Sequence, residues 1–393
     1  MQKTGTGISI VGSGHTRFGR LSENLEQLIT EAAREAVVEA AIAPGDIDAV
    51  YLGHFNSGMV PDGFASSLIL QAFPDLRFKP ATRCENACAS GSAALRAGMN
   101  AILAGQARTV LVVGAEKMTG RSTADVTTAL AGAGYQNSVE EAALSFPQVF
   151  AIAAAEYADR YGDPLPAMAR IAAKNHENAL SNPLAHMHKR MEFEACNTVS
   201  DLNPLIAPPL RLTDCSLITD GAAAVVLTTD ENAGAFPRSV KIRATAHVSD
   251  FIPMAGRDIL QFEGPAKACA DALADAGISL SDLDFAEVHD CFTIAELLVY
   301  EAMGLTEKGR GADALANGTV YRDGALPVNL SGGLKAKGHP VGATGVSMHA
   351  ISYRQLTNQA GDMQKPGASL GLVFNMGGSA VANYASVLEA HKA

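Results

Sequence analysis

The stretch AVVEAAIAPGDIDAVYL, Ala36–Leu52, recurs later in the chain as ALADAGISLSDLDFAEV, Ala272–Val288. Each copy has the pattern of an alanine-rich amphipathic helix, a turn and an apolar strand. The positions that agree include Ala36 and Ala272, Ile42 and Ile278, Asp46 and Asp282, and Asp48 and Asp284. Because these matches share one constant spacing, an internal duplication explains them better than chance does. The sequence therefore predicts two similar α/β halves.

The similarity continues beyond these two copies. A glycine-rich helix opening follows each of them, CASGSAA from Cys88 and HPVGATG from His339, and the two openings align Gly91 with Gly342. An apolar strand then ends each unit, at 109–113 and at 369–374. If the halves pack about a quasi-twofold axis, the two helix openings meet at the centre of the molecule.

The segment between the halves, about 119–237, differs in composition and is interpreted as a loop domain. It begins with Gly, Ala and Thr residues, contains predicted helices at 147–161 and 167–178, and ends as a strand. We therefore expect core halves at 1–118 and 238–393. An insert of this size can serve as a lid over a site or as an element that builds an oligomer.

The composition limits the class of protein. Of the 393 residues, 48% are hydrophobic and 18% charged, so a sizeable buried core is expected. The formal net charge of −11 argues against a nucleic-acid partner. The six cysteines contain no CxxC pair, which favours a reducing compartment over disulfides or a metal site. Without an apolar leader or a run of about 20 apolar residues, we expect a cytoplasmic protein with no membrane span.

The first chemical candidate is Cys88, within RCENACASG at 83–91, where a strand should pass into a helix. A thiol at a helix N-terminus lies near unpaired backbone N–H groups, which stabilise a thiolate or a nearby oxyanion. A lone cysteine in an alanine-rich segment is more often a packed core residue. The position of Cys88 in the repeat favours the chemical interpretation.

The second candidate is His339, in the run GGLKAKGHPVGATG at 332–345. Such a loop, with Lys335 and Lys337, could instead bind a phosphate, and a histidine at a helix entry could be a cap. Because His339 occupies the place in the second half that Cys88 occupies in the first, we expect an imidazole beside a thiol.

Two shorter motifs complete the set. HDCF, His289–Phe292, follows an apolar strand, and the carboxyl end of a strand is where α/β sheets place their sites. NMGGS, Asn375–Ser379, is a glycine-rich turn after the last apolar strand and can offer an exposed backbone N–H. Taken singly, Cys291 in HDCF could be a packed residue, and NMGGS could be an ordinary hairpin.

These motifs resemble those of the thiolase superfamily, and the resemblance covers nearly the whole chain. NACASG at 86–91 is similar to the nucleophile motif of that family, and GHPVGATG at 338–345 is similar to its histidine motif. TDGAAA at 219–224 resembles the stretch that closes its loop domain. The resemblance implies an α/β thiolase fold, a duplicated five-layer αβαβα core with an inserted loop domain.

The resemblance also implies roles for particular residues. Cys88 would be acylated, His339 would activate its thiol, and the backbone N–H groups of Cys88 and Gly377 would hold the thioester oxyanion. Other thiolases carry an Asn-Glu-Ala-Phe motif in place of HDCF, and a cysteine in place of Asn375. HDCF resembles the sterol-carrier-protein-type thiolases, which implies that Cys291 is the acid/base and that His289 binds a water or oxyanion at the second carbonyl.

The implied reaction is acyl transfer between coenzyme A thioesters, making or cleaving a 3-ketoacyl-CoA such as acetoacetyl-CoA, with no permanently bound cofactor and no metal. The resemblance further implies a homodimer or homotetramer, accompanied in some relatives by a small OB-fold, zinc-ribbon protein. Three alternatives stay open. They are a β-ketoacyl synthase-like decarboxylative condensation that uses Cys88, His289 and His339, a retro-aldolase, and a non-catalytic subunit of a complex.

Overall fold

The computed structural model describes residues 5–391 as alternating strands and helices. The strands are β1 (Ile8–His15), β2 (Ala49–Gly53), β3 (Ala81–Cys84), β4 (Thr109–Glu116), β5 (Leu205–Ala207), β6 (Leu210–Arg211), β7 (Gly221–Thr229), β8 (Val240–Ser249), β9 (Phe285–Val288), β10 (Leu370–Gly377) and β11 (Ala382–Ala390). The helices are α1 (Leu25–Glu39), α2 (Ser90–Leu103), α3 (Thr123–Ala131), α4 (Val139–Ala142), α5 (Phe146–Tyr161), α6 (Leu165–Ala179), α7 (Phe193–Asn197), α8 (Glu263–Ala276), α9 (Thr293–Ala302), α10 (Gly311–Ala316) and α11 (Thr344–Leu356).

The two copies of the repeat fold alike. In each, a helix (α1 or α8) leads through one turn of 3-10 helix into a strand (β2 or β9). The carboxylate of Asp48 accepts hydrogen bonds from the N–H groups of Arg108 and Thr109, where β4 begins. The carboxylate of Asp284 accepts in the same way from Leu370, where β10 begins. The repeated aspartates therefore anchor equivalent strands, and the predicted duplication is confirmed.

The central sheet shows the same symmetry. Its strand order is β3-β2-β4-β7-β1-β8-β11-β10-β9, with β1 and β8 paired antiparallel where the halves meet. In the first half, β1 pairs antiparallel with β7, β7 antiparallel with β4, and β4 parallel with β2. In the second half, β8 pairs antiparallel with β11, β11 antiparallel with β10, and β10 parallel with β9. A parallel bridge from Ala286 to Val328 in the second half takes the place of the β2–β3 pair in the first.

Helices α2 and α11 cross between the two halves. A Cβ atom built on Gly91 of α2 would lie 2.8 Å from the backbone nitrogen of Val346 and 2.9 Å from the carbonyl oxygen of Gly342. The two helices can approach this closely only because a glycine stands at the crossing. Helix α1 packs on the strands of the first half of the sheet and α8 on those of the second, while α2 and α11 lie between the two halves. The layers therefore run αβαβα, as predicted. The crossing brings together the helix openings that carry the two main motifs.

The chain leaves the first half after β4 and returns to it as β7, which pairs with both β4 and β1. The predicted helices at 147–161 and 167–178 correspond to α5 and α6. Helix α6 packs on α9 and on a π-helical turn at Gly333–Lys337, so the intervening segment covers the second half. The boundaries 1–118, 119–237 and 238–393 stay a prediction. Across residues 5–391, no helix is long and apolar enough to span a bilayer.

Candidate active site

Cys88 lies in a tight turn between β3 and α2. The turn depends on Ser90, whose hydroxyl accepts a hydrogen bond from the N–H of Asn86 and donates one to the carbonyl of Ala87. Ala87 has a positive φ of 49°, a left-handed conformation that costs a non-glycine residue energy. Such strain is found at functional sites, where the surrounding structure holds it in place. The turn presents Cys88 at the start of the helix, as the sequence predicts.

The Cys88 side chain is half-buried and packs against an apolar cluster that includes Met118 and Val341. This burial raises the pKa of the thiol to about 12, although a hydrogen bond from the N–H of Gly378 acts in the opposite direction. Burial thus opposes the thiolate that the helix N-terminus is expected to favour. The apolar surroundings of Cys88 favour the thiol form at rest.

His339 lies between the π-helical turn and α11. Burial, and after it the nearby Lys337, lower the pKa of His339 to about 3, so its imidazole is neutral. The Nδ1 atom is 2.7 Å from the Thr344 hydroxyl, whereas Nε2 is buried and has no hydrogen-bond partner within the described chain. A neutral imidazole with one free nitrogen can accept a proton from a thiol.

The lysines of this loop do not bind a phosphate in the way the alternative interpretation required. Lys335 and Lys337 are both buried, and the Nζ atom of Lys337 donates a hydrogen bond to Ser347 at 3.0 Å. Their side chains point into the protein, so the glycine-rich loop positions His339 instead.

His289 follows β9 directly and is fully buried. Its ring stands nearly perpendicular to that of His339, with the ring centroids 5.1 Å apart. The Cys88 sulfur and one ring nitrogen of each histidine all lie within 4.8 Å of one another. Three residues spread over about 250 positions of sequence thus form one cluster. Burial, and after it the neighbouring His339, hold the pKa of His289 well below its ordinary value.

Cys291 is buried beside this cluster. Burial raises its pKa well above the ordinary value, and the nearby Cys88 raises it further, so Cys291 rests as a thiol. Its carbonyl accepts a hydrogen bond from the N–H of Ser216, and the next residue, Phe292, stacks on Phe150 of α5. The segment between the halves therefore contacts the HDCF motif directly.

Gly377 ends β10 against the Cys88 turn. A Cβ atom at this position would lie 2.3 Å from the carbonyl oxygen of Asn86, so only glycine fits there without displacing the turn. The backbone N–H that reaches the Cys88 sulfur belongs to the following residue, Gly378. Residues 375–377 lie within β10, and a short turn leads into a further strand, β11, so the motif is part of a hairpin rather than a turn after the last strand. The role of Gly377 as an oxyanion donor stays a prediction.

Sequence reasoning missed a buried carboxylate beneath the site. Glu116 ends β4 and accepts hydrogen bonds from the N–H groups of Phe55, Asn56 and Gly342. It also pairs with the His54 ring at 3.0 Å. Glu116 therefore ties the loop that carries His339 to the first half of the protein. An acidic residue ending the apolar run VLVVGAE was the available signal, because a charge there requires a buried partner.

A small cavity adjoins the Gly378 turn at Ser379. Tyr135, Phe146, Val149 and Met254 line it. A separate groove of about 820 Å³ lies between α6 and the loop at 317–325, and none of the five predicted site residues lines it. The chemistry and this groove are therefore separate features of the molecule.

The described geometry agrees with the comparisons to known proteins. A family model described as "Thiolase, N-terminal domain" matches residues 8–193, and one described as "Thiolase C-terminal domain-like" matches residues 246–390. The chain belongs to the thiolase family. Among relatives of this thiolase, an acetyl-CoA acetyltransferase of Methanothermobacter thermautotrophicus is 38% identical over 376 residues, covering 95% of this chain and 96% of that protein. Human sterol carrier protein 2 is 30% identical, covering 94% of this chain and 70% of that protein.

Solved structures confirm the thiolase fold. The Ltp2-ChsH2(DUF35) aldolase has a TM-score of 0.83 at 22% identity, covering 98% of each chain. Human mitochondrial 3-ketoacyl-CoA thiolase in complex with CoA has a TM-score of 0.75 at 18% identity, again covering 98% of each chain. At these identities the likeness establishes the fold alone. The predicted family and the predicted fold are both confirmed.

Proposed function

We propose that this thiolase transfers acyl groups between coenzyme A thioesters through an acyl-enzyme on Cys88, making or cleaving a 3-ketoacyl-CoA such as acetoacetyl-CoA. One observation carries the proposal. The Cys88 thiol, a neutral His339 with a free ring nitrogen, and His289 lie within 4.8 Å of one another. The family and the 38% identical acetyl-CoA acetyltransferase support this reaction class.

The first step is acylation of Cys88. As the sulfur attacks the thioester carbon, its proton passes to Nε2 of His339, and the carbonyl oxygen becomes an oxyanion held by the backbone N–H groups of Cys88 and Gly377. When that intermediate collapses, coenzyme A leaves and takes the proton back from His339. Both groups are neutral at rest, so charge develops only when a thioester is present.

The second step forms or breaks the carbon–carbon bond. In cleavage, the Cys88 sulfur attacks the 3-keto carbon and passes its proton to His339, the bond between C2 and C3 breaks, and the departing acetyl-CoA enolate takes a proton from the Cys291 thiol, which His339 then reprotonates. Condensation is the reverse, so Cys291 first gives its proton to His339 and then, as the thiolate, removes the α-proton of acetyl-CoA. The raised pKa of Cys291 keeps it protonated at rest, which suits proton donation. His289 lies in the same cluster and would stabilise the enolate oxygen.

Cysteine variants test these roles. Cys88→Ala should abolish acetyl transfer with an unchanged melting temperature, because alanine is well tolerated at a helix start. Cys291→Ser should still be acylated by acetyl-CoA but should accumulate as acyl-enzyme, since a serine hydroxyl is too weak an acid to replace the thiol. Intact mass and condensation rate are measured together, in the presence of a chelator because Cys88, His289 and His339 could bind a metal ion.

Cys84 provides the matched control. It is half-buried, like Cys88, but lies at the end of β3. Cys84→Ala should retain full activity, which separates loss of the nucleophile from loss of any accessible thiol. Near wild-type condensation in Cys291→Ser would assign the proton transfer to His289 or a water.

The alternatives predict other outcomes. A β-ketoacyl synthase-like enzyme would decarboxylate a malonyl thioester in preference to cleaving acetoacetyl-CoA, and a direct comparison of the two substrates decides between them. A retro-aldolase would not need an acyl-enzyme. A non-catalytic subunit would leave Cys88 unreactive, whereas we expect iodoacetamide to alkylate Cys88 and acetyl-CoA to block the alkylation. The neutral His339 beside Cys88 favours the thiolase.

We also propose that the chain acts in the cytoplasm as a homodimer or homotetramer built on the edge strand β3. Phe64, at the start of a 3-10 helix that packs on β3, and Phe78, just before β3, are 91% and 89% exposed, which is unusual for large apolar side chains on a monomer. Phe64→Ser with Phe78→Ser should shift light scattering from dimer to monomer. A stable wild-type monomer at micromolar concentration would contradict this assembly. The DUF35 protein named with the structurally similar aldolase supports testing a small OB-fold, zinc-ribbon partner by adding it to the assay.

A further inference from the structure

Asn375 lies beneath the catalytic cluster on β10 and is fully buried. Its side-chain oxygen accepts a hydrogen bond from the Ser92 hydroxyl at 2.8 Å. Its side-chain nitrogen lies 3.3 Å from the carbonyl oxygen of Cys88 and 2.9 Å from Nδ1 of His289. Asn375 is thus in contact with the nucleophile turn of one half and with a site histidine of the other.

The orientation of this amide follows from its neighbours. The carbonyl oxygen of Cys88 can only accept a hydrogen bond, so the NH₂ group of Asn375 must face it, and the Ser92 hydroxyl can donate to the remaining oxygen. The same NH₂ group then faces His289, so Nδ1 of His289 must be the acceptor. In a neutral imidazole whose Nδ1 accepts a hydrogen bond, the proton is on Nε2.

Nε2 of His289 is buried and has no hydrogen-bond partner among residues 5–391. We infer that Asn375 is a positioning residue that holds His289 as the Nε2–H tautomer, so that His289 is a fixed hydrogen-bond donor toward the substrate oxygen rather than a base. This inference rests on the proposed thiolase function for its catalytic consequence. The tautomer itself follows from the contacts alone.

The contrast with His339 supports separate roles for the two histidines. The Thr344 hydroxyl donates to the carbonyl oxygen of Pro340 at 3.0 Å, so it accepts from Nδ1 of His339 and leaves Nε2 of His339 as the unprotonated nitrogen. His339 can therefore change protonation state during acyl transfer. The NH₂ group of Asn375 can only donate, so Nδ1 of His289 stays an acceptor. Burial, and after it His339, lower the pKa of His289, which keeps that ring neutral.

The direct test is the tautomer of His289, measured by long-range ¹H–¹⁵N correlation on histidine-labelled protein. The chain has ten histidines, so the His289 signals are assigned by their loss in His289→Gln. We expect Nδ1 to be unprotonated and Nε2 to carry the proton. A protonated Nδ1 in the wild-type protein would overturn the inference, whatever the activity is.

Two variants link the tautomer to the reaction. Asn375→Asp replaces the donor with an acceptor and should move the proton to Nδ1, and Asn375→Ala should leave a mixture of tautomers. Loss of one preorganised oxyanion donor reduces turnover by about 10²–10³-fold, so condensation should fall by that factor in the Asp variant and by less in the Ala variant. Acylation of Cys88, followed by intact mass, should persist in both.

Asn383→Asp is the matched control, because the same exchange is made on the adjacent strand β11, where the amide contacts the carbonyl of Ala380 instead of a histidine. It should leave the His289 signals and the ratio of acylation to condensation unchanged. Equal losses of both steps in Asn375→Asp would indicate a structural role and overturn the inference. A wild-type protein without thiolase activity would instead refute the proposed function, and the tautomer measurement would still stand.

Discussion

Replacing Gly91 with alanine should separate the two central helices and reduce catalysis. Ordinary van der Waals contact begins at 3.4 Å, and a Cβ atom at Gly91 would lie 2.8 Å from the nitrogen of Val346, 2.9 Å from the oxygen of Gly342 and 3.1 Å from the nitrogen of Gly345. All three are backbone atoms, so no side-chain rotation can relieve the contact. Helix α11 must therefore move away from α2 by about half an ångström, and His339 lies just before α11.

The magnitude follows from two opposing effects. Overpacking a well-packed core costs about 1–3 kcal/mol, whereas replacing glycine by alanine in a helix gains up to about 1 kcal/mol. We expect a net loss of about 1–2 kcal/mol in the free energy of unfolding. A misplacement of 1 Å can reduce catalysis by about 10²-fold, so a shift of half that size should reduce kcat/KM by about tenfold.

Urea unfolding and acetoacetyl-CoA thiolysis measure the two effects, and alkylation of Cys88 by iodoacetamide reports its local environment. Gly98→Ala in the same helix is the control, since its Cβ atom would approach only the side chains of Val110 and Val112, at 3.0 and 3.1 Å. That variant should keep its kcat/KM. If Gly91→Ala keeps wild-type thiolysis and alkylation rates, the helix crossing does not set the distance between Cys88 and His339.

Three further predictions concern stability. Lys174 forms a buried ion pair with Glu296 at 2.7 Å, and Lys174→Met leaves that carboxylate without its partner. The free energy of unfolding in urea should fall by about 3–5 kcal/mol, and adding Glu296→Gln should recover part of it. Asp220→Ala removes the carboxylate that accepts hydrogen bonds from Lys117 and from the N–H of Thr119, and should lower the urea midpoint, whereas an unchanged midpoint would contradict an anchoring role. Burial lowers the pKa of His349 to about 4, below its unfolded value of 6.5. The stability that the neutral His349 contributes is therefore fully present above pH 6.5. It is lost as the pH falls toward 4, by about 1.4 kcal/mol per pH unit. Between pH 6.5 and pH 4, the melting temperature of His349→Gln should fall less steeply than that of the wild-type protein. Identical slopes in the two proteins would contradict this role of His349.

The local parts of the site could be predicted because each depends on a short sequence. NACASG encodes its own turn, since the Ser90 hydroxyl binds backbone groups only three and four residues away. The repeat predicted the pairing of Cys88 with His339, because two copies of one unit packed about a quasi-twofold axis place equivalent helix openings together. The order of motifs along the chain was sufficient for the family and the fold.

The protonation states could not be predicted in the same way. A helix N-terminus favours a thiolate, yet the pKa of Cys88 is raised to about 12 because apolar side chains from several distant segments surround the sulfur.

The sequence by itself determined the duplication, the family and the candidates for the reactive groups, because these follow from residue type and spacing. The tertiary structure alone decided the buried pair of Glu116 with His54 and the contact of Asn375 with His289. Each of these contacts joins residues separated by 60 or more positions, as their numbers show. Desolvation and hydrogen bonding depend on what surrounds a group after folding, so the charge and tautomer of a site residue are properties of the assembled core.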